Sequence, residues 1–196
     1  EDRSLHLRET DTWRTLRIIP GIAIPQTGRM HVAMLSDNAL VYATLGEQAL
    51  ELQHSNSGKS IEIKLANADD QIPTYALNSA GNRIYLALEQ QIHIFDIGLM
   101  PLGTLALPDE MTGKVTELYP TPDGTRLVAS AAGLGNVIAV FAIPNNTLLA
   151  STSTESKLLK TVADNEKVIT KEGDDNSRFY SLEDLSEGKS FFSDYD

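Results

Sequence analysis

Three stretches of this chain hold residue types whose spacing could do chemistry. Glu172-Gly173-Asp174-Asp175-Asn176 packs acidic and amide oxygens into five consecutive residues. Asp174, Asp175 and Asn176 are the candidate calcium ligands, because a hard cation takes carboxylate and amide oxygens. The full alternating Asp loop with its distal bidentate Glu is absent, and an acidic glycine-containing turn is also what a strand connection looks like. Ser55-Asn56-Ser57-Gly58-Lys59-Ser60 ends like a phosphate loop. That motif needs a glycine where Gln53 stands and a helix where the alternating run SIEIKL follows, so a hairpin turn accounts for it. Gly133-Leu134-Gly135 likewise lies between two apolar runs, with no helix N-terminus after it to hold a pyrophosphate.

The remaining chemistry-bearing residues are scattered. His6, His31, His54 and His93 fall in separate strand-like segments with no i, i+4 pair, so a transition-metal site requires convergence from separate repeats. His93 stands between Ile92 and Ile94 on an alternating run and is expected on the opposite face from them. No Gly-x-Ser-x-Gly marks a serine nucleophile. With no cysteine there is no disulfide framework, no thiolate zinc site and no cysteine nucleophile. Asn145-Asn146-Thr147 has the form of a glycosylation acceptor, but Asn-Asn between two apolar runs reads as a hairpin. No motif names a cofactor.

The elements that would position these residues repeat. A turn followed by an apolar pair recurs at Leu40-Val41, Ile84-Tyr85, Leu127-Val128 and Val168-Ile169, at separations of 44, 43 and 41 residues. Each repeat holds four short β-rich runs separated by Gly, Pro, Asn, Asp or Ser, as in residues 82–88, 91–96, 115–120 and 136–142. Ala80-Gly81-Asn82 and Pro122-Asp123-Gly124 place glycine where a tight turn needs positive φ. No window carries a capped helical stripe; only residues 181–188 could hold a helical turn. A period of about 40 to 50 residues built from short strands is that of a β-propeller blade, because a lone four-stranded sheet cannot bury both faces.

The expected fold is therefore all-β, an array of four-stranded antiparallel blades forming one domain over residues 1–196. Residues 1–30 have the pattern of the last two strands of a blade only; the full repeats are 31–70, 71–113, 114–156 and 157–196. Opening mid-blade points to a processed form or to a piece of a larger propeller. Leu50, Leu52, Ile92, Ile94, Ile138 and Val140 are the expected core of successive third strands.

Residues 77–149 carry a more specific pattern. PTPDGTRLVASAAGLGNVIAVFAIPNNTLL (120–149) and LNSAGNRIYLALEQQIHIFDI (77–97) resemble bacterial YVTN-type and WD-like β-propeller repeats, whose second strand opens with Pro-Asp-Gly, a basic residue and an apolar pair. Phe95-Asp96 stands where such repeats place Trp-Asp. The chain has no Gly-His and no Trp-Asp dipeptide, and its one tryptophan, Trp13, lies in a turn of the half blade. The departure favours the bacterial class, and no binding residue carries over from the resemblance.

Composition bounds the partners. At 41% hydrophobic and 22% charged the chain is neither disordered nor fibrous. Its net charge of −11 has the wrong sign for neutralising a phosphate backbone, so nucleic acid is not the expected partner. No apolar run reaches bilayer length, and the compartment is left open. From Ala163 onward ten acids face four bases, which makes either a solvated rim or an acidic face that steers a basic partner. The expected function is a non-catalytic binding or scaffold module that contacts protein partners, or a second copy, through its loop faces. A propeller enzyme of lactonase or quinoprotein type, with a metal in the central channel, and a structural domain of a larger envelope protein are the alternatives.

Overall fold

A computed structural model of the chain describes residues 4–8, 11–20, 30–34, 40–45, 49–54, 57–64, 74–132, 136–154, 157–161, 166–172, 176–188 and 191–192. The chain divides into two compact units, Glu1–Ile72 and Pro73–Asp196. In the first, β1 (Ser4–Arg8) and β2 (Thr15–Pro20) form an antiparallel hairpin, the expected half blade. Blade one follows as a meander of β3 (Met30–Met34), β4 (Leu40–Leu45), β5 (Ala49–His54) and β6 (Ser60–Lys64). Leu50 and Leu52 are buried on one face of β5, as their alternation with Glu51 and Gln53 requires.

The second unit holds three blades of the same order. Blade two is β7 (Tyr75–Leu77), β8 (Arg83–Leu88), β9 (Gln91–Asp96) and β10 (Pro101–Ala106). Blade three is β11 (Lys114–Pro120), β12 (Arg126–Ala132), β13 (Asn136–Ala142) and β14 (Thr147–Thr154). Blade four is β15 (Lys157–Thr161), β16 (Lys167–Glu172), β17 (Asn176–Ser181) and β18 (Phe191–Phe192). The first strands β7, β11 and β15 lie next to one another, with β11 in the middle. No helix among the described residues is long and apolar enough to cross a membrane.

The middle strands of blade three are apolar on both faces because both faces meet a neighbouring blade. Leu127, Ala129, Val137, Ala139 and Phe141 pack with Tyr85, Ile92 and Ile94 of blade two. Val128, Ile138 and Val140 point the other way, to Val168, Tyr180 and Leu182 of blade four. The third-strand residues Ile92 and Ile94 therefore face the next blade, as Ile138 and Val140 do one repeat later. This is the recurrence expected from the period.

The turns that set this register repeat as well. Gly81 donates its N–H to the Asn78 carbonyl at 2.8 Å, and Gly124 donates to the Thr121 carbonyl at 2.9 Å. Their φ angles are 63° and 70°, the left-handed region that a side chain resists. Ser79 of the first turn donates to the Pro122 carbonyl of the second, so successive turns are joined.

Candidate functional site

An open cleft of about 850 Å³ lies in the second unit where blades three and four bring their turns together. Its size falls in the range of small-ligand and peptide pockets. The walls come from three places. Arg126 opens β12, Glu166 and Lys167 stand at the head of β16, and Phe179–Ser181 with residues 183 and 186–188 supply the far side.

Arg126 is placed by the Pro-Asp-Gly turn. The Thr121 hydroxyl donates to Asp123 Oδ1 at 2.6 Å and accepts the Arg126 N–H at 3.0 Å. Thr125 donates its N–H to Oδ1 and its hydroxyl to Oδ2 of the same carboxylate, at 3.0 and 2.8 Å. Desolvation alone would raise the Asp123 pKa; these hydrogen bonds, with the Arg126 charge, outweigh it and hold the group below the ordinary value. The turn is thus fixed around an ionised aspartate.

The opposite wall is a compact loop between β17 and β18. Leu185 donates to the Ser181 carbonyl at 3.0 Å, closing a single helical-type turn that stops there because Leu185 takes φ 55°. The Glu183 N–H is capped by Ser181 Oγ at 3.1 Å, and the Ser186 N–H by Asp184 Oδ1 at 2.9 Å. Hydrogen bonds from Ser186, side chain first and then backbone, hold the Asp184 carboxyl below its usual range. Leu182 and Leu185 anchor the loop in the core between blades three and four. Gly188 donates to the Phe179 carbonyl at 2.7 Å, and Arg178 pairs with Glu187 at 3.0 Å. The Tyr180 ring is buried, with its hydroxyl 3.4 Å from Thr154 Oγ1 of β14.

Of the residues singled out by motif, those that are described lie elsewhere. Asp174 and Asp175 fall outside the described residues, and Asn176 opens β17 opposite Glu172, at the other end of the strand from the cleft. Gly133-Leu134-Gly135 also falls outside them, between the paired ends Ala132 and Asn136. Gly58 takes φ 67° and donates to the His54 carbonyl, so the Gly-Lys-Ser run turns a hairpin into β6. Asn146 takes φ 54° in the turn between β13 and β14, where the Thr147 hydroxyl donates to Asn145 Oδ1.

The four histidines lie on different strands. His54 is buried and accepts the Ser57 N–H on Nδ1 at 3.2 Å. His93 is half-buried, stacked on Phe95 at 6.3 Å, while His6 is exposed on β1 and His31 lies on β3. Among the described residues no three His, Asp or Glu side chains are grouped to hold a metal ion. The cleft carries no motif because its walls come from three separate segments, around Arg126, around Glu166-Lys167 and from Phe179 to Gly188, and so form no local pattern. The available signal was the basic residue before three of the four apolar pairs, Arg83, Arg126 and Lys167.

No family model matches this chain, and no curated protein matches it in sequence. Its fold is widespread, with 900 chains of solved structures similar to it. One is a chain of the crystal structure of the mitotic checkpoint complex, at 13% identity and a TM-score of 0.66. That match covers 98% of this chain and 61% of the other, so the chain spans about three fifths of its neighbour's length. At such identity the likeness is one of fold, and the fold is a propeller-type array of four-stranded blades.

Proposed function

We propose that this protein is a non-catalytic binding module of bacterial YVTN-like type, which takes a protein partner on the turn-bearing face of blades three and four. The observation that carries the proposal is the cleft. Its walls are contributed by turns of two successive blades, and it offers charged, hydroxyl and aromatic groups side by side. Propeller loops gather on common faces, so recognition can arise from several modest contacts. The outer strands support the same reading, because Met100, Leu102, Leu148 and Leu149 remain exposed on β10 and β14 and just ahead of β10. The neighbouring solved structure is that of a protein complex, which is consistent with such a role.

A photo-cross-linking residue placed at Ser186, in the cleft, is compared with one at the exposed Glu62 of β6. Discrete protein adducts from position 186 that fade when Lys167→Glu and Glu183→Lys are introduced, with none from position 62, are expected. Equal yields from both positions overturn the proposal, as does the absence of adducts at 186.

A further inference from the structure

Among the described residues, not all the charges lining the cleft have a partner. Glu187 is paired with Arg178. Arg126 and Glu166 each have a partner. Glu183 is different, because its backbone N–H is bonded to Ser181 while its carboxylate meets no hydrogen-bonding or ionic partner among the described residues. Lys167, directly across the strand pair from Ser181, likewise has no partner for its ammonium among them. One anion and one cation therefore line the same cleft, both exposed, on walls that different strands hold in place.

We infer that the cleft binds an extended peptide segment of mixed charge, which presents a basic side chain to Glu183 and an acidic side chain to Lys167. This rests on the protein-binding reading above and specifies its partner. An extended segment is the form that suits the site, because residues two apart project to the same side and can reach both charges. Arginine is the fitting basic residue: its planar guanidinium pairs with a carboxylate and lies flat against an aromatic wall such as that of Phe179. The net −6 of residues 163–196 draws the basic end of such a segment toward this face. Lysine 167 then selects against a purely basic segment, which an acidic surface alone would accept.

The test is a titration of the full chain, followed by amide chemical shifts, with the probe Ac-Ser-Arg-Ser-Glu-Ser-amide. Salt is held at about 50 mM, where screening is weak at contact distance. Saturable shifts at Ser181, Ser186 and Gly188 are expected. Citrulline in place of arginine, or glutamine in place of glutamate, should each weaken binding about 2- to 5-fold, the range of exposed ion pairs. The double variant Glu183→Lys with Lys167→Glu should prefer the probe of reversed charge order. Both positions are exposed, and the backbone bonds of the loop survive their replacement, so the variant is expected to keep its dispersed spectrum. An uncharged Gln-Ser-Gln probe that binds the cleft equally well overturns the charge pairing and leaves the protein-binding reading standing. Shifts spread evenly over the acidic surface overturn the inference, as does the absence of cleft shifts at millimolar peptide, about −4 kcal/mol of binding or weaker. The cross-linking comparison decides the broader reading separately.

Discussion

The Thr74 hydroxyl donates a 2.7 Å hydrogen bond to the backbone carbonyl of Val115, which ties the chain entering blade two to the first strand of blade three. The Thr74 carbonyl in turn accepts the Ala87 N–H at 2.8 Å, so one residue belongs to both blades. Thr74→Val keeps the shape and removes the donor. It should cost about 1 kcal/mol, the net worth of one such bond, whereas Thr74→Ser should cost less. Urea midpoints at unchanged slope measure both; equal losses for Val and Ser would show that the methyl group and not the hydroxyl matters.

Ile94 and Ile138 sit on opposite sides of blade three, one arriving from blade two and the other facing blade four. Both are essentially excluded from solvent. Each truncation to alanine should cost about 2 to 5 kcal/mol, and the two losses should add, since they share no cluster. A loss below about 0.5 kcal/mol at either site, the scale of a surface change, contradicts the assigned strand faces.

Asp123 organises the turn that places Arg126 through bonds from Thr121 and Thr125. Asp123→Ala should destabilise by about 1 to 2 kcal/mol, because it leaves Thr121 and the Thr125 N–H without their charged acceptor. It should also shift the Arg126 resonances at the cleft. Unmoved resonances would mean that the β12 pairing alone fixes Arg126.

Burial lowers the His93 pKa below its ordinary 6.5, with the Glu89 charge partly opposing the shift. The unfolded chain therefore binds the proton more readily, so the contribution of His93 to stability is full above about pH 6.5 and is lost as pH falls through the folded value. His93→Gln should flatten the decline in stability between about pH 7.5 and about pH 5.5, read as the difference between parent and variant. Identical pH profiles would place the acid sensitivity on the carboxylates alone.

Glu89 turns β8 into β9 with φ 51°, a conformation costly for any residue with a Cβ. Glycine supplies it without strain, so Glu89→Gly should stabilise by about 0.5 to 1 kcal/mol. A loss in thermal midpoint would show that the charge of Glu89 beside His93 matters more than the backbone.

Much of the fold was legible because short-range rules govern it. β9 and β13 begin and end where the alternation of Ile92 and Ile94, and the apolar run around Ile138, place them. Gly81 and Gly124 take the positive φ that their turn positions required. The stretch 181–188 was ambiguous between turn and helix, since a buried Leu182 and Leu185 fit either; the left-handed Leu185 ends it after one turn. The candidate site was far less legible. Asp174, Asp175 and Asn176 drew attention because they are adjacent, yet adjacency says nothing about which side chains a blade contact will bring together.

The sequence by itself determined the period, the strand alternation and the turn chemistry, because each depends on residues within a few positions of one another. Only the tertiary structure decided that Arg126, Lys167 and Glu183 share a cleft, and which charges in it are already paired. Those facts follow from the stacking of one blade on the next, which buries Ile138 and Val140 against Val168 and so carries the attached turns into contact. Packing is driven by apolar area and does not depend on the charges it brings together, so the polar pattern of the turns could not reveal the site in advance.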